Sequence, residues 1–376
     1  MRNAKNLKVA LVCDWLTESG GAEKVLLRLS EIYPAAPIFT SQYRPKTAKW
    51  FSGKDVRAGW LNRFPAALRK FLAPLRARYF SHLDLTDFDL VISVVNAECK
   101  AVRTRPDALH IAYLQGPPTQ YYWGKYDDYI QNPGFGKLNW LARLGLKILV
   151  KPLRKWDRRA AQNPDVLVAN SGYVKADIKK YYGRDSQIVW PSVDVKKMSE
   201  LARKYRCRRS GFVVAGRQVN WKRIDLAIRA CQKTGDHLTV IGYGAEHQKL
   251  VKLAAGAPNI KFLPRYDGAA ELAKILAHAQ GLIFPSHEPF GIVAVEALAA
   301  GCPVIALEAG GALDFIEDGQ NGVFFEKQTV DSLIKALKKF ETLKFDETKI
   351  ARSAVKFDAE NFDRNWRRLV ENCLKS

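Results

Sequence analysis

The chain is poor in the residues that metal and disulfide chemistry depend on. Its 376 residues include six cysteines and six histidines. The cysteines form no CxxC pair and follow no metal-ligand spacing, and most lie in apolar segments where a reduced, buried thiol is the usual state. A D-x-D triplet at residues 87–89 leads straight into an apolar run and is interpreted as a strand cap. The sequence therefore predicts neither a disulfide framework nor a bound metal.

Long apolar runs are absent as well. No run approaches the roughly 20 residues that a membrane-spanning helix needs. The first apolar run, Val9–Cys13, is too short for the hydrophobic region of a signal peptide, so it is interpreted as a first β-strand. We therefore expect a cytoplasmic protein, long enough for two domains with separate cores.

Acidic residues are scarce relative to basic ones. The chain has 60 Lys and Arg against 38 Asp and Glu, a net charge of +22. Such a charge calls for an anionic partner, which is nucleic acid, acidic lipid or a phosphorylated substrate. The basic runs contain no nucleic-acid recognition motif, so we expect no specific nucleic acid.

Two basic amphipathic segments concentrate this charge. They are Leu61–Tyr79, which Pro65 and Pro74 interrupt, and Lys137–Arg159, which carries tryptophans near both ends of its apolar stripe. Segments of this kind lie on anionic membrane surfaces, or they pack their apolar face on the core of their own domain. The sequence leaves both interpretations open.

Strand-like and helix-like segments alternate in both halves of the chain. This order predicts an α/β protein with two Rossmann-like domains, each binding ligands at the carboxyl ends of its parallel strands. A polar stretch at Pro191–Asp194, followed by a charged run, separates the halves, and a new apolar strand begins near Gly211. We therefore predict domains of residues 1–195 and 196–358.

The most informative stretch is Ile283–Gly311. It predicts a strand, a turn, a helix from Ile292 and a further strand, with Glu288 before the turn and Glu296 in the helix. The start of a helix suits a diphosphate, because its N–H groups and positive dipole end face outward. On spacing alone, the segment is either an anion-binding loop whose two acids take hydroxyls or an ordinary βα turn with two solvated acids.

Two other loops carry ligand-type residues. Arg217 and Lys222 follow the strand that begins near Gly211, where two cations would neutralise a diphosphate. Gly20 and Gly21 stand between the first strand and first helix, where the missing Cβ atoms allow close approach of a phosphate.

These loops together resemble the family 4 retaining glycosyltransferases. Glu288-Pro289-Phe290-Gly291, with Glu296 in register, matches that family's donor-site signature, and Arg217 with Lys222 matches its diphosphate clamp. The resemblance implies the GT-B fold, with two Rossmann-like domains facing a central cleft. It also implies an N-terminal acceptor domain, a C-terminal donor domain, and a terminal helix, residues 359–376, that packs back on the first domain.

The resemblance also assigns roles to single residues. Arg217 and Lys222 are implied to stabilise the departing diphosphate, and Glu288 to hold hydroxyls of the donor sugar. Gln115 stands where relatives carry a histidine, and a glutamine cannot shuttle a proton near neutral pH. The implied donor-binding residues are Gly20, Gly21, Gln115, Arg265, Tyr266, Phe290, Gly291, Ile292 and Glu296.

Motifs of the first half narrow the resemblance. Val12–Leu16, Gly20–Glu23, Leu61–Pro65, Leu109–Tyr113 and Trp156–Arg159 look like GDP-mannose-using mannosyltransferases of bacterial O-antigen and exopolysaccharide assembly. The implied activity is retaining, metal-independent transfer from a nucleotide sugar to a lipid-linked or polysaccharide-precursor glycan. It needs no cofactor beyond the donor, and it implies peripheral attachment to the inner face of the cytoplasmic membrane. A GT-B sugar-nucleotide epimerase or hydrolase, and a non-catalytic sugar-nucleotide-binding protein, remain the alternatives.

Overall fold

The protein consists of two compact units. The computed structural model describes residues 7–18, 20–119, 122–131, 133, 136–205, 208–264, 266 and 268–375. Unit 1 comprises Met1–Pro191 and Asp363–Ser376, and unit 2 comprises Ser192–Phe362. The predicted α/β class is confirmed, because each unit is built on its own parallel sheet.

Unit 1 contains a seven-stranded parallel sheet in the order β3-β2-β1-β4-β5-β6-β7. The central strands β1 and β4 are fully buried and, apart from Cys13 and Ser93, consist of Val, Leu, Ile and Ala, as expected where helices cover both faces. The strands are β1 (Val9–Cys13), β2 (Ile38–Thr40), β3 (Val56–Ala58), β4 (Leu90–Val95), β5 (Leu109–Leu114), β6 (Val166–Ala169) and β7 (Gln187–Ile188).

The helices of unit 1 follow from local sequence signals. In the helix Gly172–Tyr182, for example, the Ser171 hydroxyl accepts a hydrogen bond from Val174 N at 3.1 Å, and Gly183 ends the helix with φ at 71°. Within the described residues, the helices are α1 (Gly21–Ile32), α2 (Ala73–His82), α3 (Tyr126–Gln131), α4 (Asn139–Ala160) and α5 (Gly172–Tyr182).

The two basic amphipathic segments adopt different structures. The first is broken into 3₁₀ turns at Trp60–Arg63 and Ala66–Lys70 before α2 begins, because Pro65 and Pro74 interrupt regular helical bonding. The second forms one helix, α4, which leaves most of its apolar stripe exposed over its first half and buries Val150 and Leu153 further along.

Unit 2 contains a six-stranded parallel sheet in the order β10-β9-β8-β11-β12-β13. The strands are β8 (Phe212–Ala215), β9 (Leu238–Ile241), β10 (Ile260–Leu263), β11 (Gly281–Phe284), β12 (Val304–Leu307) and β13 (Gly322–Phe325). The helices are α6 (Val195–Lys204), α7 (Ile224–Thr234), α8 (His247–Leu253), α9 (Gly268–His278), α10 (Ile292–Ala299), α11 (Val330–Glu341) and α12 (Glu347–Ser353).

The terminal helix α13 (Ala359–Lys375) begins in unit 2 and continues into unit 1. Asp363 forms an ion pair with Arg28 of α1, with 2.6 Å between Nη2 and Oδ2. Trp366 is fully buried, and its indole N–H donates to the Tyr33 hydroxyl at 3.2 Å. The end of the chain is thus part of the unit 1 core.

Among the described residues, no helix combines the length and the apolar character that crossing a bilayer requires.

Candidate functional site

Parallel pairing of β8 and β11 brings two candidate loops together. Phe212 pairs with Gly281, and Val213 pairs with Leu282. The loop after β8 carries Arg217 and Lys222, and the loop after β11 carries Glu288. Because the carboxyl ends of parallel strands lie at one edge of a sheet, these loops meet where open α/β folds bind ligands.

Lys222 and Glu288 are in direct contact at this edge. The distance between Lys222 Nζ and Glu288 Oε1 is 2.5 Å, and the two side chains are only 14% and 11% exposed. The Ser286 hydroxyl donates a hydrogen bond to the same carboxylate oxygen. Lys222 Nζ also lies 4.8 Å from the centre of the Trp221 ring. A cation and a carboxylate are thus held together with little access to water.

A strained turn presents Lys222. The chain forms a 3₁₀ turn at Asn220–Lys222, and Arg223 then adopts a left-handed conformation with φ at 50°. Within the described ranges, Arg223 is the one non-glycine residue with positive φ. A left-handed L-residue costs about 1–2 kcal/mol, and such strain concentrates at functional sites.

Two glycines fix the backbone around Glu288. The Gly311 N–H donates to the Glu288 carbonyl at 2.8 Å. A Cβ at Gly310 would lie 2.4 Å from that carbonyl oxygen, and a Cβ at Gly311 would lie 2.4 Å from Phe290 Cα. Phe290 is buried against Phe315, with ring centres 5.7 Å apart. The loop therefore has little freedom to move its acid.

The remaining residues of the predicted donor signature, Gly291, Ile292 and Glu296, lie at or near the start of α10. Gly291 precedes the helix with φ at 120°, and a Cβ there would lie 2.6 Å from Phe284 Cζ. Ile292 is the first helical residue, and Glu296 is buried in the following turn. The first N–H groups of a helix lack intrahelical partners, so this end can accept an anion.

The other residues of unit 2 that the sequence predicts to bind a donor lie in neighbouring loops. Arg217 is exposed in the loop after β8, and Tyr266 is exposed in the loop after β10. Arg265 lies outside the described residues.

The candidates of unit 1 lie at the carboxyl edge of the other sheet. Gly20 precedes α1 in an extended conformation, and Gly21 begins the helix. Gln115 follows β5 and is half-buried. Its backbone N–H donates to the Val95 carbonyl at 3.0 Å, and its backbone carbonyl accepts a hydrogen bond from Asn170 Nδ2 at 2.6 Å.

Beside these candidates lies a buried polar network that sequence reasoning missed. The Asp14 carboxylate accepts hydrogen bonds from four successive backbone N–H groups, those of Asn96, Ala97, Glu98 and Cys99. Two buried ion pairs flank this loop. They are Arg76–Glu98 at 2.8 Å and Lys100–Asp157 at 2.6 Å. The partners are far apart in sequence, so no local pattern marks them.

Burial keeps two of the cysteines and one histidine in their uncharged forms near neutral pH. Burial raises the pKa of Cys231 and of Cys302 to about 12, so both stay protonated thiols near neutral pH. Burial likewise lowers the pKa of His110 to about 3. His110 is fully buried and shares a 2.8 Å hydrogen bond with the Ser93 hydroxyl, as expected for a structural residue. In the described part of the chain, no three His, Cys, Asp or Glu side chains converge to hold a metal ion.

A family comparison covers most of unit 2. Residues 208–357 match the family described as Glycosyl transferases group 1. This segment, which is less than half of the chain, is similar to that family. The matched segment includes Arg217, Lys222, Glu288 and Glu296, so the paired cation and carboxylate lie within the region of similarity.

The curated relatives have names that differ in what those proteins make or act on. Glycogen synthase of Mycobacterium tuberculosis is 26% identical over 251 residues, which cover 62% of this chain and 60% of that protein. D-inositol 3-phosphate glycosyltransferase of Geodermatophilus obscurus is 31% identical over 198 residues, covering 45% of this chain and 44% of that protein. The chain thus spans less than two thirds of the length of these relatives.

Solved structures, one of them of a galactosyltransferase, share the fold over nearly the whole chain. Anabaena Alr3699/HepE in complex with UDP has a TM-score of 0.67 at 17% identity, covering 97% of this chain and 100% of that one. The lipopolysaccharide outer core galactosyltransferase WaaB has a TM-score of 0.69 at 16% identity, covering 97% and 99%. These similarities confirm the GT-B type of fold.

Proposed function

We propose that the protein is a retaining glycosyltransferase. It transfers a hexosyl group, mannosyl from GDP-mannose as the first candidate, from a nucleotide sugar to a glycan acceptor without a metal ion. The observation that carries the proposal is the contact between Lys222 and Glu288, 2.5 Å apart within the segment that matches the glycosyltransferase family. A carboxylate that holds sugar hydroxyls and a cation that holds a phosphate must be neighbours, because a nucleotide sugar joins those two groups directly.

Each charged group then has one role. Arg217 and Lys222 neutralise the charge that develops on the departing diphosphate, and the N–H groups at Gly291 and Ile292 add the positive end of α10. Glu288 accepts hydrogen bonds from hydroxyls of the donor sugar. Glu296 accepts them from the ribose, and Tyr266 contacts the base.

The proposed transfer needs no nucleophile from the protein, because every bond that breaks is matched by a bond that forms. The acceptor hydroxyl oxygen forms a bond to the anomeric carbon on the face from which the diphosphate leaves, so the configuration is retained. The bond from that carbon to the diphosphate oxygen breaks, and the hydroxyl proton moves to the departing diphosphate. The products are a glycoside and a nucleoside diphosphate.

Unit 1 contributes three further residues to the proposal. Within unit 1 taken by itself, the N–H groups near Gly20 and Gly21 at the start of α1 can bind a phosphate, and the Gln115 side chain can hydrogen-bond a sugar hydroxyl. Because glutamine does not titrate near neutral pH, no proton passes through Gln115 in this mechanism.

A UDP-sugar is the second candidate for the donor. A solved structure with the same fold, that of Alr3699/HepE, is a complex with UDP-glucose. First-half motifs favour GDP-mannose instead.

Thermal shift with a donor panel tests the proposal. GDP-mannose, UDP-glucose and ADP-glucose are each added to the full chain, and the donor that raises the unfolding temperature identifies the base. Product analysis then follows with and without a polyprenyl-diphosphate glycan. Transfer only with acceptor supports the glycosyltransferase, whereas free or epimerised sugar without acceptor supports a hydrolase or an epimerase. Donor binding without turnover supports a non-catalytic sensor.

We further propose that the protein works at an anionic membrane surface, on a lipid-linked acceptor at the inner face of the cytoplasmic membrane. The support comes from α4, where Trp140 is 64% and Ile148 is 65% exposed on an otherwise basic helix. The one acid in that helix, Asp157, is buried against Lys100. The exposed face of α4 is therefore basic and apolar, and this combination binds an anionic membrane surface.

Vesicle co-sedimentation tests the membrane proposal. We expect binding to phosphatidylglycerol vesicles, weak binding to phosphatidylcholine vesicles, and loss of binding in a Trp140→Ala/Ile148→Ala variant. Val251→Ala/Leu313→Ala is the matched control, because both residues are exposed and apolar but lie in unit 2. Equal sedimentation of both variants would contradict an interface on α4.

A further inference from the structure

Tyr243 is a large aromatic residue that the fold leaves in solvent. It lies in the loop between β9 and α8 and is 64% exposed. Both of its chain neighbours are glycines. The loop lies at the carboxyl edge of the unit 2 sheet, next to the loop that carries Arg217 and Lys222, because β8 and β9 pair in parallel.

The backbone of Tyr243 is held rigidly against that cationic loop. Its carbonyl accepts a hydrogen bond from Gln218 N at 3.1 Å. A Cβ at Gly242 would lie 2.1 Å from the Gly216 carbonyl oxygen, and a Cβ at Gly244 would lie 2.4 Å from the Gln218 carbonyl oxygen. Glycine is therefore required on both sides, because only glycine lets the two loops approach this closely.

The ring of Tyr243 is oriented by a chain of contacts. It lies against the His247 ring, with 4.7 Å between centres and 40° between planes. Gln218 is buried, and its Nε2 donates to the Gly242 carbonyl at 2.6 Å, so its Oε1 accepts from His247 Nδ1–H at 2.7 Å. Phe262 of β10 meets the imidazole edge-on at 5.8 Å. The fold thus holds the Tyr243 ring in one orientation while leaving it exposed to solvent.

We infer that Tyr243 is a stacking surface for the nucleobase of the donor, an inference that rests on the proposed function. The order of groups along the sheet edge supports it, because the Glu288 loop follows β11, the cationic loop follows β8, and Tyr243 follows β9. In a nucleotide sugar, the transferred sugar and the base likewise lie on opposite sides of the diphosphate. A planar phenol at the third position stacks on a base, and such stacking adds affinity with little choice among bases.

Binding measurements on two Tyr243 variants test this inference. Calorimetric titration of the full chain compares GDP, UDP and inorganic pyrophosphate, of which pyrophosphate has no base. We expect Tyr243→Ala to weaken binding of the preferred nucleoside diphosphate about tenfold and to leave pyrophosphate binding unchanged. Tyr243→Phe keeps the aromatic plane and should stay within about twofold of the wild type. Val251→Ala, an exposed position on α8, is the control and should bind all three ligands normally.

Three results would overturn the inference. They are unchanged nucleotide binding in Tyr243→Ala, an equal loss of nucleotide and pyrophosphate binding, and an equal loss in the Phe and Ala variants. A wild-type protein that binds neither nucleoside diphosphate would instead overturn the proposed function, and the inference with it.

Discussion

Lys222 and Glu288 neutralise each other at the carboxyl edge of the unit 2 sheet, with 2.5 Å between Nζ and Oε1. Each has a separate role in the proposed reaction, the lysine on the diphosphate and the glutamate on the donor sugar. In that proposal, a donor that enters the site exchanges the ion pair for a phosphate–lysine contact and a hydroxyl–carboxylate contact. Little reorganisation is then needed, because both groups already occupy a site of restricted water access.

Replacing Lys222 by Ala should lower kcat/KM by between about 100-fold and 1,000-fold. One preorganised charge on a developing anion contributes roughly 3 kcal/mol to the transition state. Steady-state transfer assays measure the effect, and Lys252→Ala, an exposed lysine on α8, is the control. Turnover of the Lys222 variant near the wild-type value would remove the lysine from the mechanism.

Replacing Gly310 by Ala should abolish donor binding through the backbone of Glu288. The added Cβ would lie 2.4 Å from the Glu288 carbonyl oxygen, so the loop must shift. Gly319→Ala is a matched control, because Gly319 has a similar φ of 77° but open space around its Cβ position. We expect both variants to lose about 1 kcal/mol of stability from left-handed strain, and Gly310→Ala to lose more because of its clash. Only Gly310→Ala should lose the rise in unfolding temperature that the donor produces in the wild type. Equal donor shifts in the two variants would show that the loop tolerates displacement.

Replacing Asp157 by Asn should destabilise unit 1 by about 3–5 kcal/mol. The change leaves the fully buried Lys100 without its carboxylate, and an uncompensated buried charge carries that cost. The carboxylate also accepts hydrogen bonds from Thr119, Trp123 and Tyr182 at 2.8 Å each. Denaturant unfolding measures the loss. Asp185→Asn breaks the exposed pair with Lys179 and should cost less than about 1 kcal/mol, so equal losses would argue against the buried network.

Protonation of His110 should weaken the fold in mild acid. Burial holds its folded pKa near 3, below the ordinary value of 6.5. Between these values the unfolded chain binds a proton that the folded protein does not, so stability falls as the pH falls below 6.5. From pH 7 to pH 5 the loss from this group is about 2 kcal/mol. His110→Gln should remove that part of the pH slope of the unfolding free energy. His278→Gln, at an exposed position, should retain it, and identical slopes in the two variants would contradict the assignment.

The alternation of strands and helices was predictable from the sequence because its signals are local. Buried parallel strands are apolar throughout, helices repeat their apolar residues every three to four positions, and glycine or serine marks their ends. The candidate loops were predictable for the same reason, since Glu288 and Glu296 lie within one strand–turn–helix unit.

Contacts between distant residues were not predictable in this way. The pairing of Lys222 with Glu288 depends on β8 lying beside β11, which no local pattern encodes. The clamp of the 96–99 loop by Asp14 and the close approach of Gly242 and Gly244 to the cationic loop have the same origin.

The sequence by itself determined the element order and the α/β class, and it predicted the residues of the candidate loops, because each depends on near neighbours in the chain. The tertiary structure decided which of those residues touch and which amphipathic face stays exposed. Trp140 and Ile148 lie in solvent, whereas Leu153 of the same helix is buried. Side-chain burial depends on the surface that packing supplies, and that surface comes from segments far away in sequence.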